Sequence, residues 1–404
     1  MLFVPLRGYS DISFININQQ VMIMEKSEAT KTIKTFALAS FLNDMGSDMI
    51  YPIWPLFVTT VLGANMAVLG LVDGLGEAIV SISQAFSGYL SDRIRKRKIF
   101  IWLGYLCGSL SRIGYASSGT WQHLIPFKIL DRAGKMRGAP RDAIVADIRT
   151  KENRGEGFGL LRAMDNLGAV CGIVICILFY RLLGYRNLFL IAAIPSAIGA
   201  ILILSLIKEK KPADVKIYRG MSLKDADANL KLFILLSSLF ALGSFSYSFL
   251  LIYAKQFGFK VTFVPVLYLI FTAVASLFSL PMGKLSDKIG RKPLLLLSFI
   301  FWALVCLSFS ILESHLAMIV TFILYGIHKG SLDPVQTAFV SELSPTEFRA
   351  STLGGFRMIT GLCALPASLV AGLLWDKIGV FAPFHFSLGL TFLSMIMLFF
   401  VKEK

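Results

Sequence analysis

Charge is scarce in this chain. Of 404 residues only 16% are Asp, Glu, Lys or Arg, while 55% are hydrophobic. A soluble domain has roughly a quarter charged residues, so this composition excludes an ordinary soluble globule. Histidine is scarcer still. His123, His315, His328 and His385 are scattered, with no Glu-x-x-His or His-x-x-x-His pair, which argues against a metal-dependent membrane enzyme. Cys107, Cys171, Cys176, Cys306 and Cys363 all lie inside apolar runs, and none forms a Cys-x-x-Cys pair. They read as small apolar residues, neither disulfides nor metal ligands. There is no Gly-x-x-x-x-Gly-Lys-(Ser or Thr) loop, no serine in a nucleophile elbow and no soluble stretch long enough for an ATPase domain. The chain reads as a non-enzyme without a cofactor or a metal site.

What the sequence does hold is apolar runs. They fall at about 35–62, 66–91, 99–118, 122–146, 157–181 and 186–207, then at about 231–254, 261–286, 293–312, 316–341, 350–375 and 379–401. Each matches the roughly 20 residues that cross a bilayer as a helix. The expected fold is an all-α membrane protein of about twelve transmembrane helices in two pseudo-symmetric six-helix bundles. Four segments follow: a tail over 1–32, a first bundle over 33–207, a linker over 208–230 and a second bundle over 231–404. The tail shows no helical period and reads as mobile. Met22 and Met24 are alternative starts, since nothing before them looks structural.

The net charge is +15, yet nucleic acid is not an expected partner, because no continuous basic face could follow a phosphate backbone. Lys and Arg instead sit in alternate turns. Arg93, Arg95, Lys96, Arg97 and Lys98 follow the second run, Arg149, Lys151 and Arg154 the fourth, and Lys288, Arg291 and Lys292 the eighth. The first, third and ninth turns have none. Positive turns stay inside, which places both termini and the linker in the cytoplasm of a cell with the chain in its inner (plasma) membrane. Arg181, Arg186, Lys255 and Lys260 run against this pattern.

One turn is repeated. Gly88-Tyr-Leu-Ser-Asp92-Arg-Ile-Arg-Lys-Arg-Lys98 returns as Gly283-Lys-Leu-Ser-Asp287-Lys-Ile-Gly-Arg-Lys292, 195 residues later. The same offset relates Arg154 to Arg349, Gly159 to Gly354, Arg162 to Arg357, Gly184 to Gly379 and Asp147 to Glu342. A constant offset over this range implies a duplication, with two parallel halves related by an axis along the membrane normal.

These turns resemble the signature of the major facilitator superfamily of transporters, Gly-x-Leu-(Ala or Ser)-Asp-Arg-x-Gly-Arg-(Lys or Arg). The first copy matches at Gly88, Leu90, Ser91, Asp92, Arg93, Lys96 and Arg97, and departs at Arg95, where the family has Gly. The second copy keeps Gly290. Asn43-Asp-Met-Gly-Ser-Asp-Met-Ile-Tyr-Pro52 and Asp131-Arg-Ala-Gly-Lys-Met-Arg-Gly-Ala-Pro-Arg-Asp142 resemble a prokaryotic branch known mostly as inferred permeases, which implies a mechanism more than a substrate. Gly88, Asp92, Arg93, Gly283, Asp287 and Arg291 are the expected gating residues. Gly88 allows a neighbour to approach closely, and Asp92 at a helix end suits capping and pairing with Arg93.

Ionisable residues inside the runs are costly and mark function by default. They crowd the first half: Asp44 and Asp48, Asp73 and Glu77, Arg112, then Asp131, Arg132, Lys135, Arg137, Arg141 and Asp142, then Arg162 and Asp165. The second half has His328, Lys329, Asp333 and Arg357. At the repeat offset Asp48 becomes Gly243, Asp73 becomes Tyr268, Glu77 becomes Thr272 and Arg132 becomes Ile327, so the fold itself does not require these charges. The candidates for solute or proton coupling are Asp44, Asp48, Asp73, Glu77, Arg132, Lys135, Arg162 and Asp165. The resemblance puts runs 1, 4, 7 and 10 around a central cavity, with Tyr247, Lys329 and Asp333 opposite the first-half charges. Arg112 is expected to pair with Asp73 or Glu77 in a structural network. Gly168-x-x-x-Gly172 predicts close helix packing, although the fifth run lacks the proline of the superfamily's drug–proton antiporter signature.

The function that follows is alternating-access transport of a small solute coupled to protons, by a monomer in the lipid bilayer. Export of an amphipathic compound is the first reading. Uptake of a sugar, organic acid or metal ion, and a non-transporting sensor, are the alternatives.

Overall fold

The computed structural model describes residues 9–94, 96–148, 154–207, 227–311, 314–345 and 349–403. The helices in chain order are α1 (Tyr9–Asp48), α2 (Trp54–Leu56), α3 (Met66–Ile94), α4 (Lys98–Ser117), α5 (Trp121–Ala133), α6 (Gly138–Ile148), α7 (Arg154–Leu206), α8 (Ala228–Gly243), α9 (Ser248–Gln256), α10 (Val264–Ile289), α11 (Arg291–Ile311), α12 (His315–Leu343), α13 (Arg349–Lys377) and α14 (Ala382–Phe400). No strand occurs among the described residues.

Several runs are broken in ways that proline and glycine explain. Pro52 and Pro55 interrupt the first crossing, because proline has no N–H to donate and crowds the preceding turn. The chain recovers through α2 and a π turn at Phe57–Val61. The seventh crossing breaks between Gly243 and Ser248, the position 195 residues on. α7 is one continuous element except at Gly184, whose φ of 70° ends one crossing and starts the next. Joining α1 with α2, α5 with α6 and α8 with α9, and dividing α7 at Gly184, gives twelve passes in two sets of six.

Within the first set α1 and α4 pack on α7, and α5 packs on α3 and α4. Within the second α12 packs on α10 and α11, and α8 on α13 and α14. Left-handed glycines recur at the sequence offset: Gly63 with Gly258, and Gly184 with Gly379. Gly290 is also left-handed, at φ 99°. Its counterpart Arg95 lies outside the described residues.

Eight helical stretches among the described residues are long and apolar enough to cross a membrane, Phe158–Leu206 being long enough for two crossings. The passes missing from that set are α1, α4 and the α5–α6 pair. Most of the first-half charge lies on α1 and the α5–α6 pair, whereas α4 carries only Lys98 and Arg112 and exposes Ile99, Leu110 and Ile113.

The amino-terminal stretch differs from the sequence expectation. It continues as helix from Tyr9 into the first crossing, because no glycine or proline lies between Tyr9 and Met45 to stop it. The linker lies mostly outside the described residues. It ends at Asp227, whose carboxylate accepts from Leu230 N at 2.7 Å and caps α8, so helix resumes three residues before 231.

The halves meet along α3 and α13, and where α7 touches α10 and α2 touches α9. Call the end bearing the two repeated turns the linker end, and the opposite end the far end. Contact at the far end is intimate. A Cβ on Gly70 would overlap the Ser368 carbonyl, and one on Gly372 the Met66 carbonyl. Asp376, near the end of α13, accepts from Met66 N at 3.1 Å and Ala67 N at 2.8 Å, capping α3 from the other half. The glycine pair on α7 behaves as expected. Gly168 and Gly172 sit against the backbone of Phe41 and Met45 on α1.

Candidate solute and ion-coupling site

The breaks in the first and seventh crossings face each other across the two halves. Backbone freed by a helix break needs other partners in a membrane. The Tyr51 carbonyl accepts from Tyr247 Oη at 3.4 Å, across the halves. The Ser246 N–H donates to Ser368 Oγ at 3.3 Å.

Four sequence candidates surround these breaks, and their environments differ. Asp73, 6% exposed, accepts from Trp54 Nε1 at 2.8 Å and Lys128 Nζ at 3.2 Å within its own half. It also accepts from Ser246 Oγ at 2.8 Å and Ser248 Oγ at 2.5 Å in the other half. Lys128 lies 4.0 Å over the Trp54 ring. A carboxylate with four donors, one of them cationic, is well compensated for its burial. Asp48 is also buried, but its described partner is Tyr268 Oη at 3.2 Å, from α10. No cation pairs with it among the described residues. Glu77 is one turn from Asp73, yet its side chain is 54% exposed and meets Arg132 Nη1 at 3.6 Å. Arg132 is 9% exposed, lies 5.1 Å over the Tyr51 ring, and has Asp131 at 3.6 Å.

A second cluster lies towards the linker end. Asp44 is 3.7 Å from Arg137 and accepts from Asn43 Nδ2 at 3.0 Å. Asp165 is 3.7 Å from Arg141 and 3.6 Å from Arg162. Arg162 is 70% exposed on its side chain. Such a solvated pair contributes little to stability. Lys135, in the turn Gly134–Arg137 between α5 and α6, is half-buried and pairs with no carboxylate among the described residues.

Arg112 departs from expectation. It is 1% exposed and pairs with neither Asp73 nor Glu77. Its guanidinium donates to Ala192 O at 2.7 Å, Asn43 O at 3.1 Å, Ser47 Oγ at 2.8 Å and Ser196 Oγ. It therefore binds α1, α4 and α7 together through neutral acceptors. The reason is direction. Arg112 points from α4 towards α1 and α7, while Asp73 and Glu77 lie on α3 and face α5. Beside it is a cavity of about 10 Å³ lined by Tyr51, Arg112, Tyr115, Lys128 and Asp131, with room for one water. The hydroxyls of Tyr51 and Tyr115 have no hydrogen-bond partner among the described residues.

At the linker end Gly88 would place a Cβ 3.4 Å from Ala139, so α3 runs close to α6. Arg93 is exposed. The Asp92 side chain lies outside the described residues, and with it the expected capping role. In the second copy Gly283 is 3.9 Å from Pro334 by the same measure. Arg291 pairs with Asp287 at 2.5 Å and Glu342 at 3.6 Å. In the first copy Arg97 pairs with Asp147 at 2.5 Å. Each turn thus reaches an acid at the end of the fourth or the tenth crossing, and the two acids are one repeat apart.

The profile of the Major Facilitator Superfamily matches residues 36–225 and 232–404. The chain belongs to this superfamily of transporters. An uncharacterized MFS-type transporter of Methanocaldococcus jannaschii is 40% identical over 386 residues, covering 93% of this chain and 96% of that one. A multi-drug resistance efflux pump, PmrA, of Streptococcus pneumoniae is 28% identical over 323 residues, covering 76% and 79%. Among solved structures a point-mutant form of a nucleoside transporter, NupG, superposes with a TM-score of 0.75 at 17% identity, covering 91% of this chain and 99% of that one. That last likeness shows the fold alone. The superfamily reading of the repeated turns and the duplicated all-α membrane fold therefore hold.

Several residues at the site were not singled out from sequence. Lys128 could have been, as a lysine inside an apolar run. Asp147 and Glu342 were visible as a repeat pair without a role. Ser246, Ser248 and Asp376 carry no sequence signal, since a serine in a membrane helix usually bonds its own backbone.

Proposed function

We propose that this chain is a secondary transporter that moves a small organic solute by alternating access of two halves, residues 33–207 and 231–404, with proton coupling at Asp48 and export as the favoured direction. Asp48 carries this reading. It is a buried carboxylate without a cation partner among the described residues, and its described hydrogen bond comes from the opposite half. A hydrogen bond to an ionised group is about twice as strong as a neutral one. Proton uptake by Asp48 would therefore loosen one tie between the halves, and proton release would tighten it. Asp73 is saturated with donors and serves as a latch. Glu77 and Arg132 stand nearer the solute. Arg141, Arg162 and Asp165 tie α7 to α6.

With the linker and termini in the cytoplasm, the closed far end is the outer end. The likeness to an efflux pump supports export of an amphipathic compound. The mixture of buried charge in the first half and aromatic rings in the second suits such a solute. The two repeated turns act as the hinges on the cytoplasmic side.

Proteoliposomes with an imposed proton gradient and a panel of solutes test the proposal. Asp48→Asn and Arg132→Ala are each expected to abolish gradient-driven flux. If both variants transport normally, the site assignment fails. A cysteine at Lys96 is expected to react only from the cytoplasmic side, and reaction from outside alone would invert the topology.

A further inference from the structure

We propose that the solute is an aromatic organic anion, held between Arg132 of the first half and Lys329 of the second. This inference rests on the transport reading and names its substrate class.

Arg132 is nine-tenths buried, and its Nε has no hydrogen-bond partner among the described residues. The carboxylates beside it, Glu77 and Asp131, are both 3.6 Å away, too far for the 2.7–3.2 Å of a proper N–H···O bond. The charge is balanced but the donors are not used. A guanidinium cannot relieve this by losing a proton, and its planar fork fits a carboxylate or a similar oxyanion in bidentate fashion. Lys329 is half-buried on α12, and no carboxylate pairs with it among the described residues. Asp333, exposed one turn along α12, is the stronger acidic influence on Lys329. Glu77 acts on both cations, directly on Arg132 and through the field on Lys329 across the halves. Glu77 is more than half exposed and so is a loosely held counter-ion, one that an incoming anion could displace.

Rings connect the two cations. Arg132 lies over Tyr51 at 5.1 Å. Tyr247 reaches the Tyr51 carbonyl and contacts Phe271 at 6.0 Å between centroids. Phe271 meets Tyr325 at 5.0 Å, and Lys329 stands 5.9 Å over Tyr325. Tyr51 and Tyr247 are half-buried, while Phe271 and Tyr325 lie buried behind them. A flat ring can stack on the half-buried pair, at spacings typical of aromatic contacts, while its acidic group meets a cation. A cationic solute is disfavoured in this place. It would displace no counter-ion from Arg132 or Lys329, and the exposed acids Glu77 and Asp333 are already engaged with those cations. Asp48, which pairs with no cation among the described residues, is buried under Tyr268. A neutral ring would leave the Arg132 donor unpaired.

Three probes that share one ring separate these cases: 2-naphthoate, 2-naphthylmethanol and 2-naphthylmethylammonium, titrated calorimetrically into purified protein in detergent. The naphthoate is expected to bind at least about tenfold more tightly than the other two, the value of one charge-assisted hydrogen bond. Lys329→Gln and Arg132→Gln should each weaken naphthoate by about tenfold. Lys329→Arg should retain binding, and Glu77→Gln should strengthen it. Equal binding of all three probes, tighter binding of the ammonium, or no binding of naphthoate overturns the inference. Proton-driven flux with another solute, together with any of those results, sinks this inference alone. Naphthoate binding without any flux sinks the transport reading alone.

Discussion

Asp73 on α3 and Ser248 at the start of α9 belong to different halves and meet at 2.5 Å, the serine hydroxyl donating to the carboxylate. Ser246 adds a second bond to the same oxygen at 2.8 Å. The other oxygen holds Lys128 and Trp54. One acid thus stabilises a buried cation in its own half and fastens the broken helix of the other. The far end cannot open without losing the two serine bonds.

Replacing Asp73 by Asn keeps the shape and removes the charge. Lys128, with a side chain 3% exposed, would then be an unpaired buried cation. Breaking such a pair costs about 3–5 kcal/mol. Thermal unfolding in detergent should show a large drop for Asp73→Asn and for Lys128→Met singly, with a smaller drop for the double variant. Additive losses would mean that the two side chains do not act as a pair.

Tyr268→Phe removes the donor to Asp48 and leaves the ring packing with Tyr247 and Phe271. A hydrogen bond to a charged group contributes about 1.5–3 kcal/mol, so the balance between closed and open far ends should shift by about tenfold or more. A cysteine at Ala371, which is 1% exposed on α13, reports this in a background without the native cysteines. Its labelling rate should rise by that factor. An unchanged rate would remove Tyr268 from the closing contacts.

Gly70→Ala puts a methyl group into the Ser368 carbonyl, which is backbone and cannot rotate away. The variant should insert and remain monodisperse, because the overlap falls between α3 and α13 and not inside either half. Its far end should fail to close, abolishing transport, with permanent labelling at Ala371→Cys as the readout. Normal transport by Gly70→Ala would show that α3 and α13 need not approach this closely.

Glu342→Gln takes away one of the two acids held by Arg291 and leaves Asp287 in place. Both ends of these pairs are partly solvated, so little stability should be lost, about 1 kcal/mol or less. If the repeated turns are hinges as proposed, transport should slow severalfold while solute affinity stays within about twofold. Asp147→Asn, at the matching place in the first half, should do the same. A selective loss of affinity instead would move these acids from the hinge to the solute site.

Much of the architecture was legible in the sequence because it depends on one-dimensional patterns. Apolar runs of bilayer length fixed the crossings, and an offset of 195 from Gly88 to Gly283 fixed the duplication. The same offset anticipates the left-handed pair Gly184 and Gly379, because only glycine adopts that backbone without strain. Charges in apolar runs marked the polar interior, since a membrane tolerates them nowhere else. Partners could not be read in this way. Asp73 and Glu77 share a helical face, yet one is buried with four donors and the other is half in solvent. Arg112 could be placed inside the bundle, but not on carbonyls of α1 and α7 in preference to an acid on α3. Helical periodicity states which residues share a face. It does not state how far along its neighbour a helix has slid, or which break in another crossing lies opposite. Those choices depend on contacts between residues up to 310 apart in the chain, as in Asp376 capping α3, and the tertiary structure alone decides them.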